Sequence, residues 1–468
     1  MEIERKFLLE DSSLLKLLFE KNVTIYKTSI KQFYTEISKF SEIRYRKKDE
    51  IYYLTNKAGA GLVRDELEVV ISKNEYKEAK NKRISHIISK DRYSFFLDEL
   101  EYFLDVYHDF LSPLVTLEIE FKNVEDANEF KFDTIFENVV KKEITQDERY
   151  KNKNLSLYAN PKCEFECNKA LIAIKKSPNL ELKFPSYIDA SDGFRLLFNQ
   201  IYQKIKTLKQ SYIDSPDAEV LHQLRVNLRK SRSLLKLARS LYDERVIAQI
   251  LNGLKMVANR TNEKRDFDVF IQYLKDVENS SEILKSLEFV SQSKQGDVGE
   301  FLVSKEVEEF FLDYENFLSD DSGFYKKDSK VMKKFIAFII RKEIIGLEKR
   351  FAKLDDEREN EYFHATRIEL KKLRYLFESF KTMFDIEAFD DGFARLKKMQ
   401  VVFGELQDRD VWCDIIDMYD KGEMAHFMQA QKGEISVQMF KLRGQILDKK
   451  PKFIKQIRKI SKILKAYY

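Results

Sequence analysis

The hydrophobic period of this chain changes once, near Pro161. Upstream, β-branched and aromatic residues alternate with polar ones, as in "SEIRYRKKDEIYYLTNKA" and "LVTLEIEFK". Downstream of Asp189, stretches such as "KFIAFIIRKEIIGLEKRF" place apolar residues at i, i+3, i+4 and i+7. Period two belongs to strands and the second pattern to amphipathic helices. At 468 residues the chain also exceeds what one core usually holds. The expectation is an α+β multidomain protein. A strand-rich domain covers residues 1–158, a linker punctuated by Pro161, Pro178 and Pro185 covers 159–188, and an all-α domain covers 189–468. A charged, less patterned stretch near 279–330 divides the last into halves of about 189–278 and 330–468.

Charge in the strand-rich part follows the same period. Glu2, Glu4 and Lys6 share one strand face, as do Arg44 and Arg46, then Arg64, Glu66 and Glu68, then Lys90 and Arg92, then Glu118 and Glu120. A solvated sheet face would mix Thr, Ser and Gln with isolated charges. Like charges two residues apart repel, so paired acids call for a divalent cation and paired arginines for a polyanion. Carboxylate oxygens suit Mg2+ or Mn2+, and planar guanidinium groups suit phosphate oxygens. The strands together describe a closed or nearly closed barrel with a charged interior that takes a triphosphate. Its chemistry would be phosphoryl transfer to water, driven by positioning and charge neutralisation.

The ordered series of residues resembles the CYTH domain, the triphosphate tunnel metalloenzymes. "EIERKFL" matches the opening E-x-E-x-K signature of that family. Gln32 and Tyr34, Arg44 and Arg46, Lys57, the R-x-E-x-E of Arg64, Glu66 and Glu68, Lys90 and Arg92, Asp105, the E-x-E of Glu118 and Glu120, and "EITQDERYKN" follow in order. The resemblance implies an eight-stranded antiparallel tunnel over residues 1–158 that cleaves di- or triphosphates with a divalent metal. It implies metal ligation by Glu2, Glu4, Asp105, Glu118 and Glu120, and phosphate binding by Lys6, Arg44, Arg46, Lys57, Arg64, Lys90 and Arg92. Glu66 and Glu68 become tunnel carboxylates, one facing metal and the other a basic side chain, and Tyr34 with Lys57 a catalytic pair.

The helical part contains a duplication. His222, Arg225, Arg229 and Arg232 in "HQLRVNLRKSRSLLKL" have the offsets of His364, Arg367, Lys371 and Arg374 in "HATRIELKKLRYLFES", and Lys230 corresponds to Lys372. "KRDFDVF" (Arg265, Asp266) and "DRDVWCD" (Arg409, Asp410) follow the two copies at nearly equal distance. The repeat is thus about 140 residues long. The stripe offsets fall within an arc of about 80° and extend about 15 Å along a helix. Stacked cations destabilise an isolated helix face, so a polyanion along the stripe, or acids from another helix, must neutralise them. With no acid or second His at ligand spacing, His222 and His364 read as phosphate-oxygen contacts rather than metal ligands. This part resembles the CHAD domain, which implies two similar four-helix bundles around a basic surface that binds inorganic polyphosphate.

Several classes drop out. Cys163, Cys167 and Cys413 do not form a disulfide framework, and a single pair four residues apart is a poor zinc site. The start is charged from residue 2, and the apolar run "FIAFII" is too short to span a bilayer. The expectation is a cytoplasmic protein without membrane partners. Net charge is only +4, so anion sites must come from local clustering. No base-reading motif accompanies the basic helices, which argues against nucleic acid. The leading expectation is therefore a metal-dependent hydrolase of inorganic triphosphate or short polyphosphate with a polyphosphate-binding helical module. Thiamine triphosphatase, a class IV-type adenylyl cyclase and a non-catalytic polyphosphate-binding protein are the alternatives.

Overall fold

The computed structural model describes residues 3–38, 41–58, 65–136, 138–161, 167–184, 187–278, 280–319, 330–384, 386–419 and 425–468. Glu2, Arg64, Cys163 and most of the "AGAG" turn lie outside them.

The strand-rich part forms β1 (Ile3–Leu9), β2 (Tyr26–Ile37), β3 (Ser41–Lys48), β4 (Ile51–Ala58), β5 (Asp65–Ile71), β6 (Ile88–Leu97), β7 (Leu100–Tyr107), β8 (Val115–Phe121) and β9 (Val140–Glu143). They make one antiparallel ladder in the order β5-β4-β3-β2-β6-β7-β8-β1-β9. The expectation is an eight-stranded, closed or nearly closed antiparallel barrel, and the antiparallel sheet is present. Among the described residues there are nine strands, and the end strands β5 and β9 do not pair. The added strand, "VKKE", is short and lacks apolar alternation, so its sequence gave no strand signal.

One face of the sheet is apolar. Phe7, Phe95, Leu104, Leu117 and Ile119 are buried there beneath Leu14 and Leu18 of helix α1 (Leu14–Glu20). Helix α2 (Lys73–Asn81) sets Tyr76 on Phe33, and helix α3 (Val124–Glu129) lies against β1 and β8. The opposite face carries the charges. Its end is plugged by helix α4 (Asn152–Tyr158), where Leu155 joins Leu8, Ile88, Tyr107 and Tyr150 in a separate apolar cluster.

The remainder is helical: α5 (Cys167–Lys176), α6 (Ala190–Asp214), α7 (Ala218–Ala238), α8 (Glu244–Arg260), α9 (Asn262–Leu274), α10 (Ser281–Leu302), α11 (Lys305–Ser319), α12 (Met332–Ala352), α13 (Asn360–Phe380), α14 (Glu387–Tyr419) and α15 (Ala425–Leu464). The interval read as a linker thus contains α5, which packs on α6. The stretch read as a divider forms α10 and α11, which pack on α6, α8 and α9. Helices α12, α13, α14 and α15 repeat the order α6, α7, α8–α9 and α10–α11, with two helices fused into one in each of the last two places.

The sheet and helices share a seam. The Tyr158 hydroxyl donates to the Tyr467 carbonyl at 2.5 Å, and the buried Tyr467 hydroxyl donates to the Ile84 carbonyl at 3.2 Å. Lys333 Nζ lies 5.4 Å from the Tyr467 ring centre. Among the described residues no helix is long and apolar enough to cross a membrane.

Candidate functional site

Strand register decides what the charged face can do. Glu4 lies opposite Glu120, Lys6 opposite Glu118, Arg92 opposite Asp105, Arg44 opposite Tyr34 and Thr55, and Lys57 opposite Glu66. With the period-two rule, every described residue expected in the tunnel falls on this one face. Part of the face is enclosed: Lys90 is 2% exposed, Asp105 0%, Glu118 7% and Arg44 9%, whereas Glu66 and Glu68 are exposed. Charges are seldom buried this far unless paired or bound.

At one end lies a network of five. Asp105 accepts from Arg92 Nε and Nη2, each at 2.7 Å, and from Lys90 Nζ. Glu118 meets Lys6 Nζ at 2.7 Å and Arg92 Nη2 at 2.5 Å. Although burial opposes ionisation, Arg92 and Lys90 hold the Asp105 carboxyl below its usual range, and Lys6 and Arg92 hold Glu118 well below its own. Burial pushes the Lys90 ammonium down to about 7 against the pull of Asp105, whose charge Arg92 also claims.

A second group is richer in cations. Arg44 contacts Glu66 and Glu68 at 3.4 and 3.5 Å, Lys57 meets Glu66 at 2.7 Å, and Arg46 Nε donates to Gln32 Oε1 at 3.2 Å. Glu66 and Glu68 therefore face basic side chains. Burial, then repulsion from Arg44, pushes Arg46 down to about 10, which is the situation of a cation waiting for an anion. Tyr34, raised by burial to about 12, stays a protonated donor at neutral pH. Register sets Arg44 beside Tyr34, while Lys57 engages Glu66.

Two residues of this face escaped sequence reasoning. Lys48 shares it two positions after Arg46 and meets Glu68 at 3.5 Å. Glu101 lies opposite Glu120, so Glu4, Glu120 and Glu101 form a row of carboxylates across three strands. Their signals were the same i+2 and i−4 spacing from Arg46 and Asp105. Among the described residues, no three His, Cys, Asp or Glu side chains converge tightly enough to hold a metal ion.

In the helical part the two basic stripes meet. His222, Arg225 and Arg229 of α7 and His364, Arg367, Lys371 and Arg374 of α13 line one cavity of about 570 Å³. Lys230, Arg232 and Lys372 do not line it. Arg225 is tied to the α8–α9 junction, donating to the Ala258 carbonyl at 3.0 Å, Thr261 Oγ1 at 2.9 Å and Asn262 Oδ1 at 2.6 Å. Burial, then Arg367 and Arg229, push Lys371 well below the usual lysine range.

Each histidine is held by the residue 43 positions downstream. His222 Nδ1 accepts from Arg265 Nε at 3.3 Å, and His364 Nδ1 pairs with Gln407 Oε1. The structural equivalent of Arg265–Asp266 is therefore Gln407–Asp408, which lines the cavity, and not Arg409–Asp410. Arg409 Nε turns to Gln438 Oε1 at 2.8 Å, and Asp410 accepts from Asn360.

The model of the CHAD domain matches residues 197–417. A crystal structure of the CHAD domain from the plant Ricinus communis covers 60% of this chain and 95% of its own, at 20% identity and a TM-score of 0.53, a likeness of fold. A crystal structure of an inorganic triphosphatase covers 34% of this chain and 95% of its own, at 28% identity and a TM-score of 0.26. The inorganic triphosphatase of Nitrosomonas europaea is 32% identical over 158 residues, 33% of this chain and 97% of the relative. The chain belongs, through its N-terminal region, to the family of that Nitrosomonas protein, and it carries a CHAD domain.

Proposed function

We propose that the enclosed face of the sheet, curled as a tunnel, hydrolyses inorganic triphosphate or short polyphosphate, and that the helical cavity binds inorganic polyphosphate. The observation that supports this most is the burial of opposed charges on one face, with Arg44, Arg46 and Lys48 gathered at one end. Arg44 and Arg46 would grip the phosphates with Lys48, and Lys6, Lys90 and Arg92 would extend the grip along the substrate. Arg64 would join them, and Tyr34 would donate to a phosphate oxygen. The described carboxylates fit Mg2+ or Mn2+ in their chemistry: Glu4, Glu120 and Glu101 supply hard oxygen donors from adjacent strands. To hold the ion together with Glu2 they would draw closer than they stand here. Asp105 and Glu118, the other ligands that the resemblance implies, meet Lys6, Lys90 and Arg92 here and would join those carboxylates when the ion is bound. When bound, a divalent ion neutralises phosphate charge.

The test is phosphate release by the whole chain from tripolyphosphate, long polyphosphate, thiamine triphosphate and ATP, with Mg2+ or Mn2+. Tripolyphosphate should be cleaved fastest. Arg46→Gln should lower kcat/KM by about 10²-fold, since a charge-assisted hydrogen bond in a dry site contributes about 1.5–3 kcal/mol. Equal rates for Arg46→Gln and the parent would remove the phosphate grip from this face.

Binding should also move a proton. Lys90 Nζ titrates near 7 in the free protein, and a polyanion beside it favours the ammonium form. Substrate binding at about pH 8, with Lys90 mostly neutral beforehand, should therefore take up close to one proton. Calorimetry in two buffers of different ionisation enthalpy reads this directly. Identical heats in both buffers would mean that Lys90 carries its proton throughout.

A further inference from the structure

The last stretch of α15 has an unused charge pattern. After Asp448 the chain has eight Lys and Arg residues and no acid through Tyr468. Its apolar stripe is already spent: Phe453, Ile457, Ile460 and Leu464 are buried in the helical core. The cationic side is turned outward and concave. With Glu348 and Ala352 of α12 and Arg395 of α14, it lines a groove of about 970 Å³. The lining includes Lys452, Lys455, Lys459 and Lys462, all exposed, and its single carboxylate, Glu348, is engaged by Arg458 at 3.3 Å.

This groove is separate from the cavity between the two histidines, yet adjacent to it. Helix α14 divides them: Arg395 lines the outer groove and Lys397, two residues on, lines the central cavity. Two residues along a helix turn the side chain through about 200°, so one helix carries cations into both.

We infer that the α15 groove is a second binding site for the inorganic phosphate polymer, taking the length of a long chain that the central cavity does not hold. The inference rests on the polyphosphate reading of that cavity. A membrane fits the groove less well, because a surface-binding helix needs a free apolar face and α15 buries its own. A thin, flexible polyanion needs only a line of cations, and Lys452, Lys455, Lys459 and Lys462 advance along one side of the helix at intervals of three or four residues.

The experiment uses the full chain carrying Arg46→Gln, so that the sheet contributes little binding. Dissociation constants for short and long polyphosphate are measured against salt, with and without Lys455→Gln/Lys459→Gln/Lys462→Gln. All three lysines are exposed, so the fold should be unaffected. The expected result is unchanged short-chain binding and a weaker salt response for long chains. Three lost contacts reduce the log–log slope by about 2, so the affinity lost between about 50 and 200 mM salt shrinks about twentyfold. An unchanged long-chain slope would overturn the groove site. So would tighter binding of DNA, or of anionic vesicles of phosphatidylserine, that the same triple variant abolishes. Arg229→Gln/Lys371→Gln isolates the other reading: if it leaves short-chain binding intact while the triple variant still acts on long chains, the central cavity fails and the groove stands.

Discussion

Asp105→Asn should cost about 3–5 kcal/mol of folding stability, the range for removing one partner of a buried ion pair. The urea midpoint falls and the m-value is unchanged. Asp105 is fully buried and is the shared acceptor of Lys90 and Arg92, so losing its charge leaves the Arg92 cation in a dry site, with Lys90 unpaired beside it and Glu118 already shared with Lys6. Glu66→Gln on the same face is the control. Glu66 is exposed, and its change should stay below about 1 kcal/mol. If Asp105→Asn also shifts stability by less than that, water already reaches the network and the face is open. The depressed carboxyls give the same account a pH sense. Asp105 and Glu118 contribute stability that is present above their unfolded values, about 4, and is lost as pH falls through their lower folded values.

The double variant Arg229→Gln/Lys371→Gln should do the reverse in the helical cavity. Polyphosphate binding should weaken by about 10²–10⁴-fold, because two charge-assisted hydrogen bonds of roughly 1.5–3 kcal/mol each are lost. The unliganded protein should nevertheless melt at a higher temperature. Lys371 is held well below its usual range by burial and by Arg367 and Arg229, so the cavity holds its cations against their mutual repulsion. A lower melting temperature together with lost binding would point to simple unfolding instead. A higher one with unchanged binding would remove the polymer from this cavity.

Much of this was legible in the residues, for a physical reason. Paired charges at i and i+2, as at Arg44 and Arg46 or Glu118 and Glu120, report one strand face, and the register of the ladder did place them together. Repeated offsets from His222 and His364 brought seven of the ten stripe residues to one cavity. The misses are equally physical. Lys230 and Lys372 lie one residue off the stripes, and Arg232 holds the offset of Arg374, yet only Arg374 lines the cavity, so equal offsets on the two helices do not give equal access. Arg265 became Gln407 in the second copy, and the nearby Arg409–Asp410 offered a false match. Helix α10 was hidden because "SQSKQGDVGE" interrupts its apolar stripe with small and polar residues. Partner choice among charges was also invisible. Asp105 and Glu118 carry the residue type of metal ligands, and only three-dimensional proximity shows which cations stand beside them.

The knot of Tyr158, Tyr467 and Ile84 bears on how such a molecule can be taken apart. The Tyr467 hydroxyl, at the far end of the helical part, serves the backbone of the loop between α2 and β6, and that same Ile84 donates its amide to the Tyr34 carbonyl of β2 at 2.9 Å. A cut between the two halves would unzip this stitch and strip the support from behind Tyr34. Fragments produced by such a cut would report on damaged goods, and the two chemistries are best studied on one uncut polypeptide.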